Sequence, residues 1–374
     1  MTLILSNDDV ASLLTIEDCL TELEAAYRDM VLDRALSRPR SDIYMPGQLP
    51  DSQYIFKSME GAYPSGGVVA LRLNSDTIVW SEYAGGVRKD KQPVADGKWV
   101  GLVLLFSTAS GEPLAIFPDG VMQRLRVGAT NALGVRYLAR PDAATYALLG
   151  SGWQAGAQLM AVAAVRRLRE VRVFSPDPEH RARFADEHGE RLGLSVRPAA
   201  SAREAVEGAD IVGTATNSVS PVLEADWLES GTHVTCVKRS ELGPAVLARC
   251  DVVAVHARQG LPHNYLVGLG DQMVPAHDPL GLLRKLQTGH GIESADLETE
   301  AERAREDPNE PILADIIAGK ARGRTDPMQI TAFVNNIGLG LQFAALGKVL
   351  LERARAQGVG REIPTDWFLE TPHP

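Results

Sequence analysis

The sequence predicts an α/β protein built on a doubly wound parallel sheet, and three observations lead to this fold class. From residue 144 to about 256, apolar strand-like runs alternate with helical stretches, as in parallel sheets covered by helices. A glycine-rich turn joins the first of these strands to the first helix. The chain has 374 residues, of which 45% are hydrophobic, enough for two domains at roughly 100–200 residues each.

The alternating region defines each element of the predicted sheet in order. Short apolar runs predict the strands, and longer stretches with apolar residues at helical spacing predict the helices. The predicted strands cover residues 145–149, 171–174, 211–215, 233–237 and 252–256, and the predicted helices cover 154–168, 179–192 and 202–207. In such folds ligands bind beyond the carboxyl ends of the strands, so candidate site residues are sought there.

The glycine-rich turn predicts a binding site for NAD or NADP. It reads Gly150-Ser151-Gly152-Trp153-Gln154-Ala155, a G-x-G-x-x-A sequence between a strand and a helix. The first glycine permits the tight turn, the second lets the backbone approach a pyrophosphate, and the alanine lets helix and strand pack closely. We therefore expect a Rossmann domain in which all six residues line the cofactor site.

The residues after the next strands leave the choice between NAD and NADP open. An acidic residue about 20 positions after the turn would hold the ribose of NAD. Here Ser175 stands at that place, where with His180 or Arg181 it suits a 2′-phosphate, and Asp177 two positions later suits a free hydroxyl. Further expected cofactor contacts lie at the ends of the following strands, with ordinary turn chemistry as the alternative explanation: Thr216, Asn217, Ser218 and Val237.

The remainder of the chain predicts a second domain of mixed structure. Thr15 and Asp18 begin an amphipathic helix over residues 15–34. Short apolar runs separated by turns predict a mostly antiparallel sheet, with strands at residues 53–56, 68–73 and 101–106. Helical patterns cover residues 119–140 and 330–357. The polar stretch 84–98 reads as a loop, and 285–310 as a loosely packed helical excursion.

Composition narrows the function classes. The net charge is −10 and no basic face is evident, which argues against a nucleic-acid binder. The three cysteines are widely spaced with no CxxC pair, so neither a disulfide framework nor a metal site is expected. The N-terminus lacks the features of a signal peptide, and no apolar run is long enough to cross a membrane. The cytoplasm is the expected location.

Several stretches, kept in order along nearly the whole chain, resemble the ornithine cyclodeaminase/mu-crystallin family. They are residues 5–10, 38–40, 104–116, 125–129, 137–140, 150–155, 209–216, 231–233, 319–324 and 333–342. The resemblance implies that residues 1–140 and 325–374 form a substrate-binding and dimerisation domain, and that residues 141–324 form the NAD(P)-binding domain. It also implies a homodimer, with the active site in the cleft between the domains.

The resemblance assigns roles to specific residues. Arg40 matches a position that helps to hold a substrate carboxylate, and Arg126 matches an arginine that reaches the substrate and cofactor. Arg72 stands where the family usually has a catalytic lysine, and arginine is a poor proton donor at neutral pH. Lys57 replaces the glutamate of the cyclodeaminases, and we expect it to bind a carboxylate or to transfer protons. No aspartate follows the strand at 233–237, where Lys238 lies instead.

These departures favour an oxidoreductase over a cyclodeaminase. Lys57, Arg72, Arg126, Arg40 and Lys238 would make a cationic pocket, which is costly unless an anion neutralises it. We therefore expect a small carboxylate-bearing imine, ketimine or amino acid as the substrate. Ammonia release by a cyclodeaminase-type lyase, and ligand binding without turnover as in mu-crystallin, are the alternatives. The longer segments at 75–99 and 259–310 could cover the cleft.

Overall fold

The computed structural model describes residues 1–83, 86–218, 220–258, 262–270, 273–274, 276, 278–293 and 307–371. These residues form one mixed and one parallel β-sheet with helices around them. The strands are β1 (Thr2–Ile4), β2 (Leu36–Ser37), β3 (Ser41–Pro46), β4 (Ser52–Tyr63), β5 (Val68–Tyr83), β6 (Gly86–Gln92), β7 (Val100–Ser107), β8 (Pro113–Pro118), β9 (Thr145–Leu149), β10 (Glu170–Phe174), β11 (Val196–Pro198), β12 (Ile211–Thr214), β13 (His233–Cys236), β14 (Val252–Val255), β15 (His263–Leu266), β16 (Met273–Val274), β17 (Thr331–Val334) and β18 (Arg361–Ile363). The helices are α1 (Asn7–Leu13), α2 (Ile16–Val31), α3 (Gly120–Leu138), α4 (Trp153–Val165), α5 (Pro178–Leu192), α6 (Ala202–Val206), α7 (Gly243–Arg249), α8 (Pro279–Gln287), α9 (Leu313–Ile317) and α10 (Gly340–Gln357).

The predicted helix at residues 15–34 is confirmed as α2, and a capping box explains its start. The Thr15 hydroxyl accepts a hydrogen bond from the Asp18 amide at 3.2 Å, and the Asp18 carboxylate accepts one from the Thr15 amide at 3.0 Å. The apolar stripe of the helix, which includes Leu20, Leu23 and Tyr27, is buried in a hydrophobic core that residues of both sheets share.

The mixed sheet carries most of the N-terminal region and contains eleven strands. Its main path runs β16-β15-β3-β4-β5-β7-β8-β1-β18, with β2 beside β4 and β6 beside β5. The predicted strands at 53–56, 68–73 and 101–106 are confirmed as antiparallel neighbours. One face of the sheet lies against α10. At Gly61 the two backbones come so close that a Cβ would lie 2.0 Å from the Leu341 nitrogen.

Two expectations about this domain need correction. Residues 84–98 are not simply a loop, because β6 pairs antiparallel with the second half of β5. The run of charged side chains on β6 hid the strand from hydrophobic patterning. The segment that follows β14 adds β15 to the edge of the mixed sheet beside β3 and packs α8 over it. Half of the expected excursion at 285–310, residues 294–306, lies outside the described residues.

The parallel sheet confirms the predicted fold class. Its order is β11-β10-β9-β12-β13-β17-β14, and all of its paired strands run parallel. The five predicted strands and the three predicted helices of this region are all present, within a few residues of the expected ends. The carboxyl ends of the strands therefore meet at one edge, where the glycine turn lies.

The expected helix at 330–357 begins too early, because residues Thr331–Val334 form β17 inside the parallel sheet. All four residues are buried, and so short an apolar run cannot be told from a helix segment by periodicity. The parallel sheet thus includes a strand beyond residue 324, while β15 and β16, which precede that residue, belong to the mixed sheet. Only α10 carries the predicted helical pattern.

Helix α3 connects the two sheets and brings them into contact. Most of its residues are buried, and its glycines allow close packing on both neighbours. A Cβ on Gly128 would lie 2.6 Å from the Ala157 carbonyl oxygen of α4, and one on Gly134 would lie 2.5 Å from the Phe333 ring of β17. Within the described part of the chain, no helix is both long and apolar enough to span a bilayer.

Candidate active site

The glycine turn after β9 has a geometry that suits a bound pyrophosphate. Gly150 has a φ angle of +117°, and a Cβ there would lie 2.3 Å from the Ala215 carbonyl oxygen. Gly152 is the N-cap of α4, and a Cβ on it would meet no atom within 4 Å. Ala155 is fully buried between helix and strand. The amide groups that begin α4 therefore border open space, which is the arrangement that binds phosphate at helix N-termini.

Residues after β10 extend this turn. The Ser151 hydroxyl lies 2.8 Å from the Ser175 hydroxyl and 2.7 Å from Nδ1 of His180. Asp177 is exposed, and its carboxylate accepts a hydrogen bond from the His180 amide at 2.9 Å as the N-cap of α5. Ser175 thus contacts the glycine turn directly, whereas the Asp177 side chain caps the N-terminus of α5.

The first turn of α4 is linked to α3. The Gln154 side chain donates a hydrogen bond to the Arg124 carbonyl oxygen at 3.3 Å. The Trp153 ring is 56% exposed, and the Arg124 guanidinium lies 5.5 Å from its centre. Arg126 follows two residues later on α3, so one helix carries both this contact and Arg126.

A buried glutamate organises the next strand ends. The Glu241 carboxylate accepts hydrogen bonds from the Thr216 amide at 2.6 Å, from the Thr216 hydroxyl at 2.7 Å and from the Thr214 hydroxyl at 3.1 Å. It also accepts one from the Lys238 amide at 3.2 Å. No pattern in the sequence indicated this role. Asn217, Ser218 and Val237 follow the same strand ends, which keeps them candidates for cofactor contact.

On the mixed sheet, two predicted cations are paired with buried aspartates. Arg40 contacts Asp42, which is fully buried, with 2.7 Å between Nη2 and Oδ2. Lys57 lies 3.5 Å from the Asp76 carboxylate, which also contacts Lys91 at 2.9 Å. Asp42 and Lys57 are opposite each other across β3 and β4, so their side chains share one face of the sheet.

Arg72 lies on the same face and is fully engaged by Asp119. Its Nε and Nη2 lie 2.7 and 2.6 Å from Oδ2 of Asp119, the residue before α3. Gly101 makes room for this pair, because a Cβ there would lie 2.1 Å from Oδ1 of Asp119. Asn74, opposite Lys57, donates to the same carboxylate at 3.4 Å. The Arg72–Asp119 pair therefore joins β5 to the start of α3.

Arg126 differs from these cations because its hydrogen-bond partners are neutral. It is 5% exposed; Nε and Nη2 donate to Oε1 of Gln123 at 3.2 and 2.7 Å, and Nη1 donates to Oε1 of Gln342 at 3.1 Å. Among the residues that the structure describes, no carboxylate lies within 4 Å of its guanidinium. Gly338, just after β17, passes so close that a Cβ would lie 2.8 Å from Nη1. Arg126 thus lies where the two sheets meet.

A buried hydrogen-bond network holds Gln342 in place. Its Nε2 donates to the Tyr27 hydroxyl at 2.9 Å and to the Thr130 hydroxyl at 2.8 Å, which leaves Oε1 for Arg126. The Tyr27 hydroxyl also lies 2.8 Å from Nε2 of His256, just beyond β14. Burial lowers the pKa of His256 to about 4, so the ring is neutral. The network fixes Arg126 through residues of both domains.

Burial and neighbouring charges weaken the protonation of two cations. Burial, followed by the charge of Arg40, lowers the pKa of Lys57 to about 8. Burial, followed by the charge of Arg72, lowers the pKa of Arg126 to about 9, with a smaller effect of Arg40. Because Arg40 acts on both groups, Arg40, Lys57, Arg72 and Arg126 form one cluster, hereafter the cation cluster.

The cation cluster is less positive than the sequence indicated. Asp42, Asp76 and Asp119 compensate much of its charge, and none of them was identified from the sequence. The alternation of polar residues Arg72, Asn74 and Asp76 along one strand was a usable signal for a buried polar face. Counting Lys91, five cations face three carboxylates, so positive charge remains in excess.

Lys238 does not join the cation cluster in the described contacts. Its Nζ donates to the Thr216 carbonyl oxygen at 3.3 Å, at the edge of the parallel sheet. Its predicted role in substrate binding stays a prediction. In the described residues, no group of histidine, cysteine and acidic side chains is arranged to hold a metal ion.

Comparison with known proteins identifies the relatives of this chain. The model of the ornithine cyclodeaminase/mu-crystallin family matches residues 87–358. A Delta(1)-pyrroline-2-carboxylate reductase of Bacillus cereus is 30% identical over 268 residues, which are 70% of this chain and 74% of that protein. The iminosuccinate reductase of Paracoccus denitrificans is 26% identical over 366 residues, 96% of this chain and 99% of that one.

The fold also matches a solved structure along almost its whole length. The structure of Thermococcus litoralis Delta(1)-pyrroline-2-carboxylate reductase in complex with NADH and L-proline superposes with a TM-score of 0.72. The match covers 97% of this chain and 100% of that one, at 24% sequence identity. At this identity the likeness concerns the fold, and it confirms the fold class predicted from the sequence.

Proposed function

The chain belongs to the ornithine cyclodeaminase/mu-crystallin family, and from this premise we propose that it is an NAD(P)-dependent oxidoreductase of carbon–nitrogen bonds. Its substrate is an imine, a ketimine or the corresponding amino acid, and it carries at least one carboxylate. The names of the two reductase relatives support this reaction class, because both relatives act on carboxylated imines.

The observation that carries the proposal is the buried Arg126 without an acidic partner. A buried charge is expensive unless it is paired, and the two glutamines beside Arg126 offer dipoles only. Each arginine or lysine around it already has an aspartate, whereas Arg126 has none among the described residues. A substrate carboxylate would supply the missing charge and could accept two parallel hydrogen bonds from the guanidinium.

The glycine turn fits a dinucleotide, as the open N-terminus of α4 at Gly152 and the left-handed backbone of Gly150 indicate. When bound, the nicotinamide donates or accepts the hydride, and the protein supplies position and electrostatics. Gly150, Gly152 and the first amides of α4 would hold the diphosphate. The hydrogen bond from Gln154 to the Arg124 carbonyl oxygen links this turn to α3, the helix that carries Arg126.

Lys57 is the best candidate for proton transfer. With a pKa of about 8 its Nζ exists in both protonation states near neutral pH, which is the range in which general acids and bases work best. Nζ is 3.5 Å from Asp76, which holds it without neutralising it completely, because Asp76 is shared with Lys91. Arg72 and Arg40 are assigned to electrostatics and positioning, since Asp119 and Asp42 already engage them.

Cyclodeamination is disfavoured by the state of Glu241. It is the acidic residue that follows β13, and it is fully buried and accepts hydrogen bonds from Thr214, Thr216 and Lys238. A carboxylate committed in this way is a poor ligand for a substrate amine. The cation cluster offers cations where a diamino acid would bring further positive charge.

We also propose that the protein works as a homodimer in the cytosol. The face of the mixed sheet opposite the cation cluster carries half-buried apolar side chains that no described helix covers. They are Leu71, Leu73, Leu102, Leu104 and Phe106. A contiguous apolar face of this kind is typical of protein–protein interfaces, and the family resemblance implies a dimer.

The test is a substrate panel with both NADH and NADPH. Cyclic imino acids and imines formed from 2-keto acids with ammonia or methylamine are supplied, and loss of the reduced-nicotinamide absorbance is followed. We expect turnover with at least one carboxylated imine and none with its carboxamide analogue. Absence of turnover across the panel, or equal rates with acid and amide, would contradict the proposal.

A further inference from the structure

We infer that the glycine turn selects the 2′-phosphorylated dinucleotide, NADPH, and that Ser175, His180 and Arg183 form its 2′-phosphate subsite. This inference rests on the proposed function and specifies its cofactor. It starts from the residue after β10, where NAD-specific Rossmann domains place a carboxylate that binds the ribose hydroxyls. Here that residue is Ser175, whose side chain is neutral.

The nearby carboxylate does not replace the missing one. Asp177 accepts a hydrogen bond from the His180 amide and caps α5, which is a complete structural reason for its presence. Its side chain is engaged at the helix end, whereas Ser175 contacts Ser151 in the glycine turn. The strand end that faces the cofactor site is therefore occupied by hydroxyls.

The hydroxyls and the imidazole form a compact group of hydrogen-bond donors. Ser151 lies within 2.8 Å of both Ser175 and Nδ1 of His180. Hydroxyl groups and a protonated imidazole donate to phosphate oxygens, while a 2′-hydroxyl would gain little from them over water. The group lies on the turn that holds the diphosphate, so both phosphates would be bound by neighbouring parts of one loop.

A cationic recess continues from this group along α5. Arg124, Arg183 and Arg191 line it together with two histidines, and Glu187 is the carboxylate among its lining residues. Nε of Arg124 is buried, and it has no hydrogen-bond partner among the residues that the structure describes. Burial, followed by the charge of Arg191, lowers the pKa of Arg124, which shows that the cations disfavour one another. A phosphate dianion would relieve this repulsion, and a bare ribose hydroxyl would not.

Binding measurements without substrate test the inference. Dissociation constants are determined by calorimetry for NADPH, NADH, adenosine 2′,5′-bisphosphate and AMP. With two or more charge-assisted hydrogen bonds to the 2′-phosphate, we expect NADPH to bind about 10–100-fold more tightly than NADH. The bisphosphate should exceed AMP by a similar factor. Equal or tighter binding of NADH would overturn the inference.

Variants assign the effect to the named residues. Ser175→Asp should reverse the preference, because a carboxylate repels the 2′-phosphate and accepts hydrogen bonds from the ribose. His180→Ala and Arg183→Ala should weaken NADPH binding far more than NADH binding. The control is Arg203→Ala, since Arg203 lies on α6, is exposed and pairs only with Glu207 among the described residues. An unchanged NADPH preference in all three subsite variants would overturn the assignment.

The outcomes separate this inference from the proposed function. If the protein binds neither dinucleotide, the proposed function itself fails. If it binds NADH and turns over an imine without preferring NADPH, only the subsite is wrong.

Discussion

The edge of the parallel sheet and the charged face of the mixed sheet form the two halves of the candidate site in opposite ways. At the edge, six consecutive residues shape the nucleotide turn, and hydrogen bonds join this turn to the end of β10 and to α3. On the charged face, residues from β3, β4, β5 and α3 are brought together by strand register and helix packing. The edge provides backbone amides for a phosphate, whereas the face provides buried charges for a carboxylate.

This difference predicts which property a substitution in each half of the site should change. Gly150 is required by the backbone of the turn, and Gly152 leaves the space beside α4 open, so substitutions at either position should affect dinucleotide binding first. The face depends on a balance of charges, in which Asp42, Asp76 and Asp119 pair with four cations and no described carboxylate pairs with Arg126. Removing one charge from this face should therefore change both the affinity for the substrate and the stability of the fold.

The largest effect is expected for Arg126→Met. Because it removes the carboxylate ligand, we expect kcat/KM for the best imine to fall by about 1000-fold, as for loss of one partner of a buried ion pair. The dissociation constant of the dinucleotide should stay within about threefold, because the turn is intact. Steady-state kinetics measure the fall in kcat/KM, and calorimetry measures the dissociation constant of the dinucleotide.

The same variant should make the protein more stable without ligands. Removing a buried charge that lacks an acidic partner relieves its desolvation penalty, so the Tm should rise. Arg136→Met on the same helix is the control, since Arg136 pairs with Glu24 at the surface and should change neither kinetics nor cofactor binding. A fall in Tm together with unchanged kcat/KM would show that Arg126 is a structural residue.

A smaller effect, about 100-fold in kcat, is expected for Lys57→Met, in the range of general acid–base catalysis. Protonated Lys57 donates a proton as the imine is reduced, so wild-type reduction should slow as the pH rises through about 8. Amine oxidation needs the neutral form and should accelerate over the same range. A pH profile of kcat for the variant should lack this step.

If kcat of Lys57→Met still changed as the pH rises through about 8, a group other than Lys57 would be responsible for the pH dependence. Lys91→Met provides a matched comparison, because Lys91 shares Asp76 with Lys57 but is about half exposed. Lys91→Met should keep the pH dependence of kcat. The change should occur at higher pH, because the loss of the neighbouring positive charge raises the pKa of Lys57.

The smallest effect is expected for Gln342→Glu. This near-isosteric change places a carboxylate beside Arg126, where it competes with the substrate carboxylate. We expect KM to rise about tenfold with a modest change in kcat, and the Tm to rise because the buried arginine gains a partner. Gln342→Met, which cannot pair with Arg126, should raise KM without raising Tm. Identical changes of KM and Tm in the two variants would contradict the claim that Arg126 lacks a compensating carboxylate.

The two halves were also unequally predictable from the sequence. The turn at 150–155 and the strands around it follow from contiguous patterns, and the structure has them at the predicted places. The strand at Thr331–Val334 was missed because four buried residues carry no periodicity, and its place between β13 and β14 is set by tertiary packing.

On the charged face, the family resemblance selected Arg40, Lys57, Arg72 and Arg126, but not their partners. Asp42 is opposite Lys57 only because β3 and β4 pair in one register, which no local pattern specifies. Gln342 meets Arg126 from more than 200 residues away in the sequence. Long-range pairings of this kind decide which cation is compensated, and therefore which one is left for a ligand.

The most direct test of the central claim, that Arg126 awaits the substrate carboxylate, is a crystal structure with a bound dinucleotide and an amino-acid product such as L-proline. We expect the product carboxylate within hydrogen-bond distance of the Arg126 guanidinium, with the Gln342 contact retained. A product bound with its carboxylate elsewhere and Arg126 still bonded only to Gln123 and Gln342 would contradict it.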